Sequence, residues 1–316
     1  MNQKIGHSMK IQHSVLICLP VLLLLSTVAQ AQTQDRTAVV GSTNRGSELL
    51  SPEAVEDLGQ LQEATPFQPT FGLNASTQFM VVTNALQQGK NSSADFLFFP
   101  AVNATFLQPL PAGFSIDAMV QLNTVIYSRY SNLNFWGPNG AAHLNWQYKP
   151  WLPQIYFGTE PYYYQNYQTF GANANVTAAT TITTGIAQSF DLGKDGRTQL
   201  GLGYKFSEYY ANPSTFTRSG NLATVSITRN LAPGLSGQVY YGYQYSYYGN
   251  AQLDPSTFNI INRQDSQNIV GISLTKHFNK NLTGTLSGSW VDNISTLSGY
   301  SYQNFVVSIG LNWQFF

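Results

Sequence analysis

The last thirteen residues, 304–316, reading NFVVSIGLNWQFF, restrict the fold of this chain more than any other stretch. Every second residue is apolar: Phe305, Val307, Ile309, Leu311, Trp313 and Phe315. The residues between them are small or polar, except for Val306. Strict alternation of this kind predicts a β-strand whose two faces meet different surroundings. The strand ends in aromatic residues, whereas the edge strand of a soluble sheet normally carries charge or proline that prevents sticking.

The same alternation recurs from Phe71 onward and predicts about twelve strands. The third strand is the clearest, because Phe114, Ile116 and Val120 share one face with other apolar residues. Short turns rich in Pro, Gly or Asn, such as 109–113 and 231–234, alternate with longer polar loops, of which 249–266 is predicted to be the longest. Ten or fourteen strands stay open, since the second and fifth contain Pro100 and Pro161.

Composition agrees with a chain that spreads its apolar residues at period two. Only 9% of the residues are charged, against about 25% in ordinary globular domains, and 14% are aromatic. Beyond the N-terminus no apolar run is long enough for a transmembrane helix. The balanced charge gives no reason to expect a nucleic-acid partner. A transmembrane β-barrel fits this composition, and a secreted soluble β-sandwich or β-helix is the alternative.

The N-terminal region predicts export. Lys4 and Lys10 precede the apolar run 15–25 and the small-residue sequence 29–31, so residues 1–31 read as a signal peptide cleaved after Ala31. Cleavage would remove the only cysteine, Cys18, and leave no disulfide.

Residues 32–70 form an acidic periplasmic leader, which contains a predicted short helix at 51–61. That helix is interpreted either as a periplasmic contact or plug, or as a transient turn in a flexible leader.

The terminal strand and the alternating connections resemble those of a bacterial outer-membrane β-barrel of the porin type, over residues 71–316. The resemblance implies an all-β, antiparallel, up-and-down transmembrane barrel in contact with outer-membrane lipid. It also implies that the barrel-assembly machinery recognises the C-terminal strand. An even strand count places both ends of the barrel in the periplasm. The strand register is taken from Phe315, with Phe316 one residue beyond it.

Alternation also sorts the side chains between lumen and lipid. The residues predicted to line the lumen are Asp117, Gln121, Asn123, Tyr127, Arg129, His143, Asn145, Gln147, Glu160, Lys205, Tyr240, Gln244, His277, Asn312 and Gln314, with Lys149 as a further lumen charge. Those predicted to face the membrane are Trp146, Trp290, Trp313 and Phe315. Most tyrosines of 162–164 and 240–248 are expected in the aromatic girdles at the membrane interfaces.

Nothing in the sequence predicts catalysis. His143 and His277 are the histidines that remain after signal cleavage, and neither is followed two residues later by the serine of the outer-membrane phospholipase motif. No close set of His, Asp and Glu predicts a metal site, and no cofactor is expected.

A lumen rich in hydroxyl, amide and tyrosine groups, with few charges of both signs, predicts passive diffusion of small, neutral, sugar-like solutes. The alternative is a closed barrel with an adhesive, anchoring or assembly role, in which the leader plugs the lumen. The oligomeric state does not follow from the sequence.

Overall fold

The computed structural model describes residues 68–85, 93–149, 151–166, 176–193, 197–212, 214–254, 257–297 and 299–316. The predicted signal peptide, most of the leader and the helix at 51–61 lie outside these residues. No helix in the described ranges is long and apolar enough to span a membrane.

The described residues form twelve antiparallel strands that close on themselves, so the predicted fold and strand count are confirmed. Each strand pairs with its neighbours in the sequence, and the last pairs with the first. The strands are β1 Thr70–Val82, β2 Asp95–Pro109, β3 Phe114–Tyr127, β4 Phe135–Trp146, β5 Gln154–Asn166, β6 Val176–Leu192, β7 Thr198–Asn212, β8 Arg218–Ala232, β9 Leu235–Leu253, β10 Ile260–His277, β11 Leu282–Ser295 and β12 Tyr302–Gln314.

The outer face of the barrel is apolar all the way round. Ile309 in β12 pairs with Phe79 in β1 and Leu286 in β11, and all three side chains are exposed, Ile309 by 56%. Exposed apolar side chains cover β3, β6 and β10 in the same way. A closed ladder leaves no unpaired strand edge, as hydrocarbon surroundings require.

The start of β1, the C-terminus and the tight turns share one end of the barrel, which we call the periplasmic end. The opposite end, which carries the longer connections, is the external end. At the periplasmic end, pairing continues past β12, because the Phe315 N–H donates to Leu73 O at 2.8 Å and Leu73 N–H donates to Phe316 O at 3.2 Å. The terminal aromatics therefore help to close the barrel against β1.

Pro100 and Pro161 lie inside β2 and β5 and do not end them. Pro100 pairs with Thr77 of β1, and Pro161 pairs with Thr180 of β6. On the other side, the pairing of β2 with β3 skips Phe99 and Pro100, and the pairing of β4 with β5 skips Glu160 and Pro161. A proline without an N–H is accommodated by opening the ladder on one side only.

The prediction of a long loop at 249–266 is wrong. β9 continues to Leu253 and β10 begins at Ile260, which leaves only 254–259 as the connection. The pairing of these strands is irregular between Asn262 and Gln264, and such an irregularity breaks the alternation that marks a strand in a sequence. Similarly, the predicted loop 131–139 is shorter, because β4 begins at Phe135.

Candidate functional site

The inner wall of the barrel changes character along its length. In the external half, all twelve strands contribute inward side chains that are excluded from solvent. We call this set the external layer: Met80, Val82, Leu97, Phe99, Val125, Tyr127, Phe135, Tyr162, Ala179, Tyr209, Leu222, Tyr248, Arg263, Asp265, Val291, Asn293, Tyr302, Asn304 and Val306. About half of these residues are aliphatic or phenylalanine, so this part of the lumen is packed like a protein core.

Three external connections fold inward onto the external layer. Leu133 and Tyr130 of the β3–β4 connection pack on the cluster formed by β1–β4 and β12. Phe216 of the β7–β8 connection packs against Tyr162 and Tyr209. Asp95 fixes the first of these connections, because its carboxylate accepts the backbone N–H groups of Arg129 at 2.9 Å and Tyr130 at 3.2 Å. The external mouth is therefore narrowed by short, anchored loops.

A buried ion pair fastens the third connection. Arg263 donates from Nε to both carboxylate oxygens of Asp265 at 3.0 Å and from Nη2 to Oδ2 at 2.6 Å. Its guanidinium lies between the rings of Tyr248, 4.3 Å away, and Tyr300 of the β11–β12 connection, 3.9 Å away. Arg218 extends the stack, 4.4 Å from the ring of Tyr209. The sequence indicated none of this, because Arg263 falls in the stretch predicted as a loop.

The periplasmic half of the lumen is polar and reaches solvent. Its half-buried inward residues are Asn74, Ser76, Gln78, Gly201, Gly203, Lys205, Thr283, Thr285, Ser287, Gly310 and Asn312. Many of them hydrogen-bond one another across strands, as where Gln78 donates to Ser308 at 2.8 Å and Ser308 lies 2.6 Å from Ser287. Small hydroxyl and amide groups thus line the wall from β11 across β12 to β1.

An acidic cluster lies on a different part of the lumen wall, on β3, β4 and β5. Asp117 pairs with His143 across the ladder, and His143 Nδ1 donates to Asp117 Oδ2 at 2.9 Å. Its Nε2 lies 3.7 Å from Glu160 Oε1. Asn145 donates to the other Asp117 oxygen, and the Tyr156 ring meets the imidazole edge-on at 6.3 Å. Two carboxylates flank a single imidazole, which makes this an ion-pair cluster with an excess of acidic groups on the lumen wall.

Gly158 makes room for the imidazole of His143. The two residues are paired in the ladder, and a Cβ at Gly158 would overlap the His143 ring and lie 2.6 Å from Ala142 O. The ring therefore lies flat along the wall instead of projecting into the bore.

We expect Gly158→Ala to destabilise the folded barrel by about 1–3 kcal/mol, the usual cost of overpacking. Urea unfolding of the protein in detergent measures this change. Gly310→Ala, on the inner face of β12 with its nearest new contact at 3.6 Å, is the control and should be nearly neutral. Equal stabilities of the two variants would show that the His143 ring is not held as described.

The structure places the predicted lumen residues at different depths. Gln121, Asn123, Tyr127 and Asn145 are buried on the inner face, as is Tyr240, and Gln244 and Asn312 are half-buried there. His277 and Gln314 are exposed at the periplasmic rim, where His277 Nδ1 lies 3.0 Å from the Thr283 hydroxyl.

Three predicted lumen residues lie outside the strands. Arg129 is in the β3–β4 connection. Gln147 is in the β4–β5 turn, where it donates to Leu152 O at 2.9 Å. Lys149 is also in that turn, with Nζ 5.2 Å from the Trp151 ring. Each of these residues lies beyond the last residue of its strand, where the alternation of lumen and lipid faces no longer applies.

Aromatic residues divide between the two faces. Trp290, Trp313 and Phe315 are exposed on the outside, and Trp146 donates to Ala112 O at 3.2 Å next to Phe114. Of the tyrosines expected in the girdles, Tyr241, Tyr243 and Tyr247 are exposed, but Tyr162, Tyr240 and Tyr248 are buried inside the barrel. The tyrosine-rich stretches therefore serve both faces.

Within the described ranges, no group of three His, Cys, Asp or Glu side chains is arranged to hold a metal ion.

Solved structures of bacterial barrels are similar to this one at low identity. The translocator domain of the autotransporter NalP from Neisseria meningitidis aligns with a TM-score of 0.46 and 12% identity over 89% of this chain and 98% of that one. An outer membrane channel from Pseudomonas putida F1 aligns with a TM-score of 0.49 and 15% identity, over 80% of this chain and 97% of that one. An anion-selective porin from Comamonas acidovorans aligns with a TM-score of 0.38 and 8% identity, over 78% of this chain and 100% of that one. No protein-family model and no curated protein matches the sequence.

The outer surface of the barrel itself assigns the chain to a class. A closed sheet with a band of exposed apolar side chains around its exterior would associate in water, because exposed apolar patches of that size drive contact. In a bilayer the same surface is solvated by lipid. The chain is a transmembrane β-barrel of twelve strands.

Proposed function

We propose that this barrel is a passive outer-membrane channel for small, neutral, hydrophilic solutes, and that it is not an enzyme. The observation that carries the proposal is the neutral, hydrogen-bonding wall of β11, β12 and β1 in the periplasmic half, where Thr283, Thr285 and Ser287 reach solvent. A ring of one charge sign would favour ions of the opposite sign, whereas here carboxylates and cations both occur. Assembly through the C-terminal strand belongs to the same proposal.

A second candidate is favoured by the external layer. Its side chains exclude solvent in the external half, as a closed barrel with an adhesive, anchoring or assembly role would require. In the channel proposal, the external layer is the constriction of the pore, and its side chains must move apart for a solute to pass. A channel passes solute across the membrane and a closed barrel does not, so a measurement of solute flux distinguishes the two candidates.

We expect vesicles that contain the refolded mature protein to swell in isosmotic solutions of neutral monosaccharides. Swelling should slow as the solute grows, because twelve strands enclose a bore between those of filled eight-stranded barrels and sixteen-stranded porins. Swelling equal to that of protein-free vesicles, with the barrel shown to be folded, would favour the closed barrel. A variant that lacks residues 32–67 then tests the leader as the plug, since restored swelling would identify it.

A further inference from the structure

The inner face of β9 and β10 near the periplasmic end carries four polar side chains that we call the polar patch: Ser236, Gln238, Ser273 and Thr275. Gln238 pairs with Ser273 and Ser236 pairs with Thr275, so the four form a compact square on the wall. All are buried, with between 1% and 6% of each residue exposed. They lie below the external layer.

Each residue of the polar patch has a polar atom without a hydrogen-bond partner: Ser236 Oγ, Gln238 Oε1, Ser273 Oγ and Thr275 Oγ1. Gln238 Nε2 donates to Thr228 Oγ1 at 3.1 Å, which fixes the amide and leaves its oxygen as an acceptor. Buried polar atoms are normally satisfied, because leaving them unpaired is costly. Four such atoms side by side on a lumen wall indicate a place prepared for a hydrogen-bonding molecule.

The neighbouring row shows the contrast. Ser273 pairs with Ser287 across β10 and β11, and Ser287 pairs with Ser308 of β12. Those last two hydroxyls lie 2.6 Å apart and satisfy each other. Two hydroxyls in one row of the barrel are therefore partnered, while the third, that of Ser273, is not.

The chemistry of the polar patch selects a neutral partner that carries donors. β9 contains no charged residue, and the charges on the inner face of β10, Arg263 and Asp265, pair with each other near its external end. The Gln238 oxygen needs a donor, which an ether cannot supply, and the three hydroxyls donate and accept. The Tyr240 ring, which lies flat over Gly271 next to the patch, adds an apolar surface.

We propose that the polar patch, with the Tyr240 ring beside it, is a binding subsite for a neutral, hydroxyl-rich solute such as a small saccharide. The inference rests on the proposed channel function and deepens it by naming the wall and the groups that bind. The solute supplies hydroxyl donors to Gln238 and exchanges hydrogen bonds with the hydroxyls of Ser236, Ser273 and Thr275.

The test measures binding of sucrose to the full mature protein, both as block of single-channel current and by calorimetry in detergent. The Ser273→Ala/Thr275→Val variant, which removes two hydroxyls with little change in shape, should weaken the sucrose affinity about tenfold. Ser308→Ala, which removes a partnered hydroxyl in the same row, is the matched control and should leave the affinity unchanged. Polyethylene glycol of the same hydrodynamic size should not bind to either variant or to the wild type.

A second readout is thermal stability without sucrose. Removing an unpartnered buried hydroxyl should leave the melting temperature unchanged or raise it, whereas Ser308→Ala should lower it. Equal loss of affinity in the double variant and the control, or no saturable binding in calorimetry, would overturn the proposal and leave ordered water as the partner of the patch. Binding that appears only after residues 32–67 are removed would also overturn it, because the leader would then be the occupant.

Calorimetry keeps this test separate from the channel proposal. If the barrel binds sucrose through the polar patch and yet conducts no ions, the channel proposal fails and the subsite proposal stands.

Discussion

Arg263→Met should destabilise the barrel by about 3–5 kcal/mol, because it leaves the Asp265 carboxylate buried without its cation. Asp265 has three hydrogen bonds from Arg263 and a long contact of 3.5 Å from the Tyr248 hydroxyl. The substitution also removes the guanidinium from between two tyrosine rings. Urea unfolding in detergent, followed by tryptophan fluorescence, measures the effect.

The double variant Arg263→Met/Asp265→Leu should recover most of that loss, since apolar residues of similar volume often replace a buried ion pair without cost. Arg229→Met, at an exposed position near the periplasmic end of β8, is the control and should change stability little. A double variant as unstable as the single one would mean that packing of the guanidinium against Tyr248 and Tyr300, and not the unpaired carboxylate, accounts for the loss.

Ile309→Arg should cost about 2–4 kcal/mol, the price of a cation on the lipid face near the bilayer midplane. Ile309 lies near the middle of β12 and is 56% exposed on the outside. The expected result is a lower yield of folded barrel on refolding into vesicles, seen as loss of the heat-modifiable band on a gel. A large cost here is a direct consequence of the outward register of the last strand.

Asn312→Arg is the matched variant on the inner face of the same strand. Because Asn312 is half-buried in the polar part of the lumen, its replacement should fold with a loss below about 1 kcal/mol and change only ion preference. If the two variants fold equally well, the apolar face of β12 does not meet lipid.

Alternation in the sequence predicts the faces of the strands well. In β12, every second residue from Phe305 to Trp313 is exposed on the outside, and the alternate residues from Asn304 to Asn312 lie on the inner face. The same alternation holds for β3. A period of two survives in a single sequence because it depends only on consecutive residues. It also holds where both faces are apolar, as in residues 96–99, where Phe96 is exposed on the outside and Leu97 and Phe99 pack inside the barrel.

Alternation does not predict depth or partners. Asp117, His143 and Glu160 meet because β3, β4 and β5 pair in a particular register, and register depends on contacts between strands. The contacts of Arg263 with Tyr248 and Tyr300 could not be predicted for a further reason. The irregular pairing between Asn262 and Gln264 interrupts the alternation of apolar and polar residues near the start of β10. The external layer therefore became visible only in three dimensions.

Single-channel conductance of the refolded mature protein in a planar bilayer, over a salt series, shows whether the barrel is an open channel. We expect discrete ohmic steps whose size follows bulk conductivity, with little preference between anions and cations, because the lumen carries charges of both signs. Absence of any steps from protein shown to be folded would contradict the channel proposal and leave the closed barrel. Strong selectivity for one ion sign would contradict the neutral lumen.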